Sequence, residues 1–345
     1  MNREELVFTI RILSRSKDYK EFSKIVKNHH PSDIVFALSF LDDYDIIELL
    51  TKIEIELVAE LFSYFPEQRQ DSLIQLMPFK SVVELFELIP SDERADLFNR
   101  ISEETQKKLL PALAKAERED IIKLASYPEG TVGSETSSDY LRVELNMTVA
   151  ETISFIRENA MDKDTIYVIY VTDPENKLRG IISLKDLILA REKDIIREIM
   201  SSDIIYVNAK SPREEAAKLI QEYDLLALPV VDDDMKMIGI VTVDDAMDIE
   251  QETNTTQLTK FGGIVPLGKT DDLDITTTPF LKMFKDRSFW LILLTFFGVF
   301  TSTYVAAQEE LLSKVVVLAA FIAPIVDMGG NTGSQSATLV IRAMA

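Results

Sequence analysis

The chain has 345 residues with 58 acidic and 37 basic side chains, a net charge of −21 carried almost wholly before Ser288. That sign excludes a nucleic-acid binder, which needs basic patches, and suits a cation-binding or well-solvated surface. Without cysteine there is no disulfide framework and no thiolate metal site, and the only histidines, His29 and His30, adjoin Pro31 and read as a loop.

Met1 to Ile10 alternates charged with apolar residues and holds no signal-peptide core. From 37 to 125 the chain repeats. Paired apolar residues recur every twelve positions at Leu49/Leu50, Leu61/Phe62, Leu73/Ile74, Leu85/Phe86, Leu97/Phe98, Leu109/Leu110 and Ile121/Ile122. A second series, Phe65, Met77, Ile89, Ile101 and Leu113, keeps the same step, and Pro66, Pro78 and Pro90 follow three of its members. Proline is tolerated in a first helical turn, so each proline is expected to open a short helix. Each unit buries its apolar pair against its neighbours, which predicts an all-α superhelix. Within it Asp92 and Asp96, and likewise Glu56 and Glu60, are four apart and share a helix face. Spacing alone reads these acids as a solvated face.

A second repeat fills 140–250. The stretch Val171 to Asp186 matches Val230 to Asp245 at an offset of 59 without a gap. Each copy reads as strand, acidic turn, strand after a glycine, then a Ser/Thr-x-x-Asp helix start. Thr148-Val149-Ala150-Glu151 and Ser211-Pro212-Arg213-Glu214 each open an amphipathic helix upstream. This order and spacing resemble a tandem pair of CBS domains, an α/β module that often binds adenine nucleotides. The resemblance would place Ser183 with Asp186, and Thr242 with Asp245, at ribose and phosphate. The same residues also spell a plain helix cap.

Residues 249–260 read as a polar connecting helix, broken by Gly262-Gly263 and Pro266-Leu267-Gly268. Ser288 to Ala307 is then free of charge for twenty residues, enough to span the roughly 30 Å hydrocarbon core of a bilayer. Lys282, Lys285 and Arg287 before it, and Glu309 and Glu310 after it, put the N-terminal part on the cytoplasmic side. A second apolar run returns from Val315 toward Arg342. Inside it Pro324 removes a helical hydrogen bond, and Gly329, Gly330 and Gly333 permit unwinding. Carbonyls freed there, with Asp327, Asn331 and Gln335, would line a path for a hard cation. If helix persists, those three side chains fall on one stripe, and close packing by small residues is the competing role.

The assembled order resembles the MgtE family of magnesium channels. The likeness rests on Tyr127-Pro128-Glu129, on Tyr223-Asp224-Leu225-Leu226-Ala227-Leu228-Pro229, and above all on Gly329-Gly330-Asn331-Thr332-Gly333-Ser334-Gln335-Ser336-Ala337-Thr338. It implies a multidomain α and α/β membrane protein. Its parts would be a superhelical N domain (1–130), CBS domains (131–196 and 197–249), a connecting plug helix and linker (250–278) and a truncated transmembrane domain (279–345, spans 288–307 and 315–341). It implies a homodimer in the cell membrane, with the N and CBS domains in the cytoplasm and divalent cations as partners. Cytosolic Mg²⁺ would bridge Glu60, Asp92 and Asp96 of the array to Glu214, Asp224, Asp245 and Asp248, and so hold the pore shut. Asp327, Gly329 (through its carbonyl), Asn331 and Gln335 would line the pore, with Mg²⁺ and an adenine nucleotide such as ATP as ligands.

There are departures. Thr253-Asn254-Thr255-Thr256-Gln257 stands where the family's plug is rich in glutamate, Pro212 replaces an expected acid, and Gly133-Ser134-Glu135-Thr136 opens the first CBS unit unusually. The chain ends at Ala345, before the three further spans that the resemblance implies, so it reads as a fragment or a truncated product. The alternative is a membrane-anchored, nucleotide-sensing regulator that conducts nothing itself. An enzyme is not expected, because no nucleophile–base constellation, P-loop or His/Cys metal site is present.

Overall fold

In the computed structural model, residues 2–161, 163–261, 280–308, 310, 313 and 316–344 are described. Ten helices come first among them: α1 (Arg3–Ser16), α2 (Tyr19–Asn28), α3 (Pro31–Leu38), α4 (Asp43–Leu50), α5 (Ile55–Phe62), α6 (Glu67–Leu76), α7 (Phe79–Phe86), α8 (Ser91–Arg100), α9 (Glu103–Ala112) and α10 (Lys115–Leu124). The twelve-residue step is one short helix plus its turn. Alternate helices stack, α1 on α3, α3 on α5, α4 on α6, α5 on α7 and α8 on α10. Each apolar pair therefore turns inward. From Leu49/Leu50 to Leu97/Phe98 both members of every pair are buried, as are Phe65, Met77, Ile89 and Leu113. The rule weakens at the end of the series, where Leu110 is half-buried and Ile122 is exposed.

Two recurrent polar contacts serve the turns. Gln70 donates through Nε2 to the Phe62 carbonyl at 3.0 Å, and Gln106 to the Phe98 carbonyl at 2.7 Å. Each satisfies a helix-end carbonyl that lacks an intrahelical donor. Pro66, Pro78 and Pro90 sit one residue earlier than expected, at the N-cap of α6, α7 and α8 and not in the first turn. Their extended backbone sets the corner, and their carbonyls accept the first helical bonds, as in Arg94 N–H to Pro90 at 2.8 Å. His30 caps α3, its Nδ1 accepting from the Ser32 N–H at 3.2 Å, and His29 reaches back to the Ile25 carbonyl at 2.9 Å.

After a 3₁₀ turn (Val132–Glu135) come two copies of one α/β module. The first holds β1 (Arg142–Glu144), α11 (Val149–Asn159), β2 (Val168–Thr172), β3 (Leu178–Ser183), α12 (Leu184–Leu189) and α13 (Ile196–Ile199). The second holds β4 (Val207–Asn208), α14 (Arg213–Tyr223), β5 (Ala227–Val231), β6 (Met237–Thr242) and the start of α15 (Val243–Phe261). In each, the first strand pairs parallel with the second and the second antiparallel with the third. The offset of 59 extends to backbone detail. Asn176 and Met235 share a left-handed φ of 64°, and the register shifts fall at Val171/Thr172 and Val230/Val231. The two turns then clasp each other, Leu178 N–H to the Met235 carbonyl and Met237 N–H to the Asn176 carbonyl, both at 3.0 Å. Tyr170, Leu178, Ala227, Val231, Met237 and Ile240 form the buried seam between the modules.

The helical array is bound to the second module, since Ala95 of α8 and Leu124 of α10 are buried in the same core as Val207, Ile220, Leu228 and Val230. Residues 1–246 form one compact unit and 247–345 a second. The latter includes α16 (Phe280–Ala307) and α17 (Val316–Met344), and residues 262–278 of the expected linker lie outside the described residues. Helix α17 runs unbroken through Pro324, Gly329, Gly330 and Gly333. The glycines thus stand in helical backbone, the arrangement in which Asp327, Asn331 and Gln335 share one stripe. Asp327 and Asn331 are one turn apart, Nδ2 of Asn331 donating to Oδ2 of Asp327 at 3.3 Å, and with Gln335 they are exposed. Among the described residues no helix is long and apolar enough to cross a membrane; the side chains at 289–290 and 316–320 lie outside those described.

Candidate divalent-cation junction

The junction is built on a clasp between α8 and residues 136–140. Ser137 exchanges two backbone bonds with Ile240 of β6, each 2.8 Å, which zips this segment onto the second module. Ser91, the first residue of α8, is buried. Its Oγ accepts from the Ser138 N–H at 2.7 Å and lies 3.1 Å from Ser137 Oγ, while its N–H donates to Asp139 Oδ2 at 3.2 Å. Ser138 Oγ donates to Asp120 of α10 at 2.7 Å. Lys163 donates to Asp139 at 3.2 Å, and the Asp164 N–H to the Asp139 carbonyl at 3.0 Å.

This clasp carries the first turn of α8, with Asp92 and Glu93, toward the first turn of α15, where Asp245 accepts from the Thr242 N–H at 2.9 Å. The result is a concentration of like charge. Burial, then repulsion by Asp245, Glu93 and Asp164, holds the Asp92 carboxyl well above the usual carboxylate range. Burial also raises Glu93, opposed by a hydrogen bond from Ser63. Asp164 is pushed up to about 6, first by desolvation and then by Asp139, Asp245 and Asp244. Crowding costs such groups their charge.

A pH prediction follows. A carboxyl whose folded pKa is raised weakens the fold while ionised. The penalty is complete above about 6 for Asp164, and it fades as pH falls toward its ordinary 3.8. Residues 1–261 in divalent-free buffer should therefore melt at a higher temperature at pH 5 than at pH 7. Carboxyls held low by partners, such as Asp173 and Asp233, reverse this only below their ordinary values. A melting temperature that declines steadily from pH 7 to 5 would show that the repulsion is absent.

Of the acids singled out in the sequence, Asp92 and Asp245 are brought to this junction, and Asp96 is half-buried on the same helix. Glu60 on α5 is exposed, as are Glu214 on α14 and Asp224, which ends α14 in a left-handed turn at φ 51°. Asp248 is exposed on α15 in the second compact unit. Glu93, Asp139 and Asp164 were not foreseen. Glu93 adjoins Asp92 and could have been included on that ground, but nothing local marks Asp164, which arrives from the far side of α11. Ser183 caps α12, accepting from the Asp186 N–H at 3.0 Å; Thr242 Oγ1 accepts from the Asp245 N–H at 3.5 Å and donates to Asp245 Oδ2 at 2.5 Å. In this structure both serve as helix caps. Among the described residues no three carboxylate or imidazole side chains already stand around one metal position.

An array of short helices fused to a tandem pair of CBS-like α/β modules defines the class of architecture. Comparison with known proteins agrees: the model of the MgtE intracellular N domain matches residues 29–130, and the CBS domain model matches 132–193 and 196–252. A magnesium transporter MgtE from Thermus thermophilus is 32% identical over 349 residues, covering 99% of this chain and 76% of that protein. One from Bacillus subtilis is 27% identical over 345 residues, covering 100% and 75%. A crystal structure of the soluble part of a magnesium transporter superposes with a TM-score of 0.68 at 27% identity, covering 73% of this chain and 99% of that one. The cytosolic domain of the Mg²⁺ channel MgtE in complex with ATP gives 0.67 at 30%, covering 70% and 99%. The chain belongs to the MgtE family, and the relatives that match along its length are named transporters, not enzymes.

Proposed function

We propose that this chain carries the cytosolic sensor of a homodimeric magnesium channel, with its domains divided as the sequence divides them, and that Mg²⁺ closes the channel by bridging acids across the junction. The observation that carries the reading is the clasp of Ser91 on residues 137–139 and β6, which sets Asp92 and Glu93 of α8 near Asp245, with burial and neighbouring carboxylates raising Asp92 and Asp164. The donor set is all oxygen, which suits a hard cation. Mg²⁺ gives up water reluctantly, so a pair of carboxylates facing its hydrated ion suffices where no closed cage exists. Bridging would draw α8 onto the second module, and its loss would let the two repel. Asp96, Glu60, Glu214, Asp224 and Asp248 would enlarge the sensor.

The membrane reading draws support from α16 and α17, whose large apolar side chains are exposed along their length, among them Leu291, Phe297, Phe300, Phe321 and Ile325. Apolar surface all round a helix calls for lipid or other helices. Asp327, Asn331 and Gln335, sharing a stripe on α17, are the pore-facing candidates. Homodimerisation draws support from exposed apolar residues that recur with the module repeat, Tyr167 with Leu226, alongside Ile188 and Val243. A nucleotide at Ser183, Asp186 and Thr242 is supported by the ATP complex of the related cytosolic domain. Each cap would have to share its hydroxyl and carboxylate with the ribose.

The direct test is a thermal melt of residues 1–261 in Mg²⁺ against K⁺ of matched ionic strength. A site filled to a hundred times its Kd stabilises by about 2.7 kcal/mol, a rise of roughly 5–10 °C for a unit of this size. Identical melting temperatures would remove the sensor. Uptake of Mg²⁺ into liposomes bearing the intact channel, with and without internal Mg²⁺, tests conduction and gating.

A further inference from the structure

Helix α8 starts without a side-chain cap of its own. Its N-cap residue is Pro90, which has no side-chain oxygen to offer, although the first N–H groups of a helix need acceptors. Asp139 supplies one from 48 positions away, its Oδ2 accepting from the Ser91 N–H at 3.2 Å. A carboxylate is well suited to that end of a helix. The other oxygen, Oδ1, accepts from Lys163 Nζ at 3.2 Å, and the Asp139 carbonyl accepts from the Asp164 N–H at 3.0 Å. The side chains of Lys163 and Asp139 are only 25% and 22% exposed, so solvent and salt screen this pair less than one at the surface. Three other cations stand near these acids. Arg100, held by Glu67 and Asp71, moderates Glu93. Arg94 and Lys123 moderate Asp120 while donating to the carbonyls of Ile89 at 2.9 Å and Ile238 at 3.3 Å. Lys163 is the cation that answers Asp139.

We propose that the Lys163–Asp139 pair sets the Mg²⁺ concentration to which the junction responds, Asp139 by positioning the first turn of α8 and Lys163 by cancelling the charge that this borrowed cap brings beside Asp92, Glu93 and Asp164. The proposal rests on the sensor reading above and deepens it. Without the ammonium of Lys163 the junction carries one more net negative charge and draws a divalent ion more tightly. Without the charge of Asp139 the ammonium is left unbalanced and opposes the ion. A unit charge acting on a divalent ion from about 8 Å in a water-like medium changes its Kd about fivefold. Lys163 and Asp139 thus tune the site through their charges and are not counted among the groups that hold the ion.

Residues 1–261 suffice for the test, because 1–246 are a compact unit with their own cores and the corresponding soluble part of a relative crystallises alone. The melting temperature is followed as MgCl₂ is added at constant ionic strength, and the half-saturating Mg²⁺ concentration is read from the curve. Lys163→Met should lower that concentration about fivefold, and Asp139→Asn, which keeps an oxygen for the Ser91 N–H, should raise it about fivefold. The double variant should return to the parental value, and Lys163→Arg should not leave it. A purely structural role would lower the melting temperature of both single variants without moving their midpoints in opposite directions. Midpoints that stay put, or that move the same way in both, overturn the proposal while the parental response to Mg²⁺ still supports the sensor. A parent indifferent to Mg²⁺ overturns the sensor and this tuning with it.

Discussion

Replacing Gly239 by alanine should unfold the second module at a temperature roughly 10 °C lower than the parent, a loss of about 4 kcal/mol. A methyl group there would stand 2.1 Å from the Ser137 carbonyl oxygen and 2.4 Å from Thr136 Cγ2. The first is backbone, and it is the acceptor for the Ile240 N–H at 2.8 Å. Relief demands that residues 136–140 leave β6, and with them the clasp on Ser91. Gly180, the equivalent residue 59 positions earlier, provides the control. Its methyl would meet chiefly Met200 Sδ at 2.3 Å, the far end of a flexible side chain, with the Ser201 carbonyl at 3.0 Å. Gly180→Ala should cost only about 1–2 kcal/mol. Equal melting temperatures for the two variants would mean that the clasp does not join array to module. Since the clasp positions Asp92 against Asp245, Gly239→Ala should also blunt the response to Mg²⁺.

The second large effect is expected from Asp92→Asn combined with Asp245→Asn. Two like charges about 4 Å apart cost on the order of 4 kcal/mol at an effective dielectric of 20. Asparagine keeps the shape and, at 245, an oxygen to accept from the Thr242 N–H. At 92 it gives up a favourable charge in the first turn of α8, worth about 0.3–1 kcal/mol, less than the repulsion relieved. In the absence of divalent ions the double variant should therefore melt above the parent, and Mg²⁺ should raise its melting temperature by less than half the parental increment. In the intact channel the same change should hold conduction low whatever the internal Mg²⁺. An undiminished Mg²⁺ increment would assign both residues to an ordinary solvated face.

The repeats were legible because each is a local rule applied many times. Twelve residues make one short helix and its turn, so a wrong inference at Leu49 would have to be wrong again at Leu61, Leu73 and Leu85. Only the margin of the series escaped, at Leu110, which is half-buried, and Ile122, which is exposed. The paired α/β modules were legible for the same reason, down to the acidic turns. The proline position was misjudged by one residue, because a corner needs the extended backbone of an N-cap and sequence spacing does not separate that from a first turn. At Gly329 the sequence allowed either a break or a continuous helix, because glycine permits a break without requiring one, and the backbone there is helical.

The amino-acid order by itself determined the two kinds of repeat, their sequence along the chain, and the residue types capable of holding a hard cation. Periodicity and composition act over a few residues and need no partner to be read. Which acids confront one another was decided only by tertiary structure. Asp92 and Asp245 are 153 positions apart, and Asp164 joins them from a third place. They meet because Ser91, Ser137 and Ser138 tie α8 to β6, and charge repulsion falls with distance in space, not along the chain.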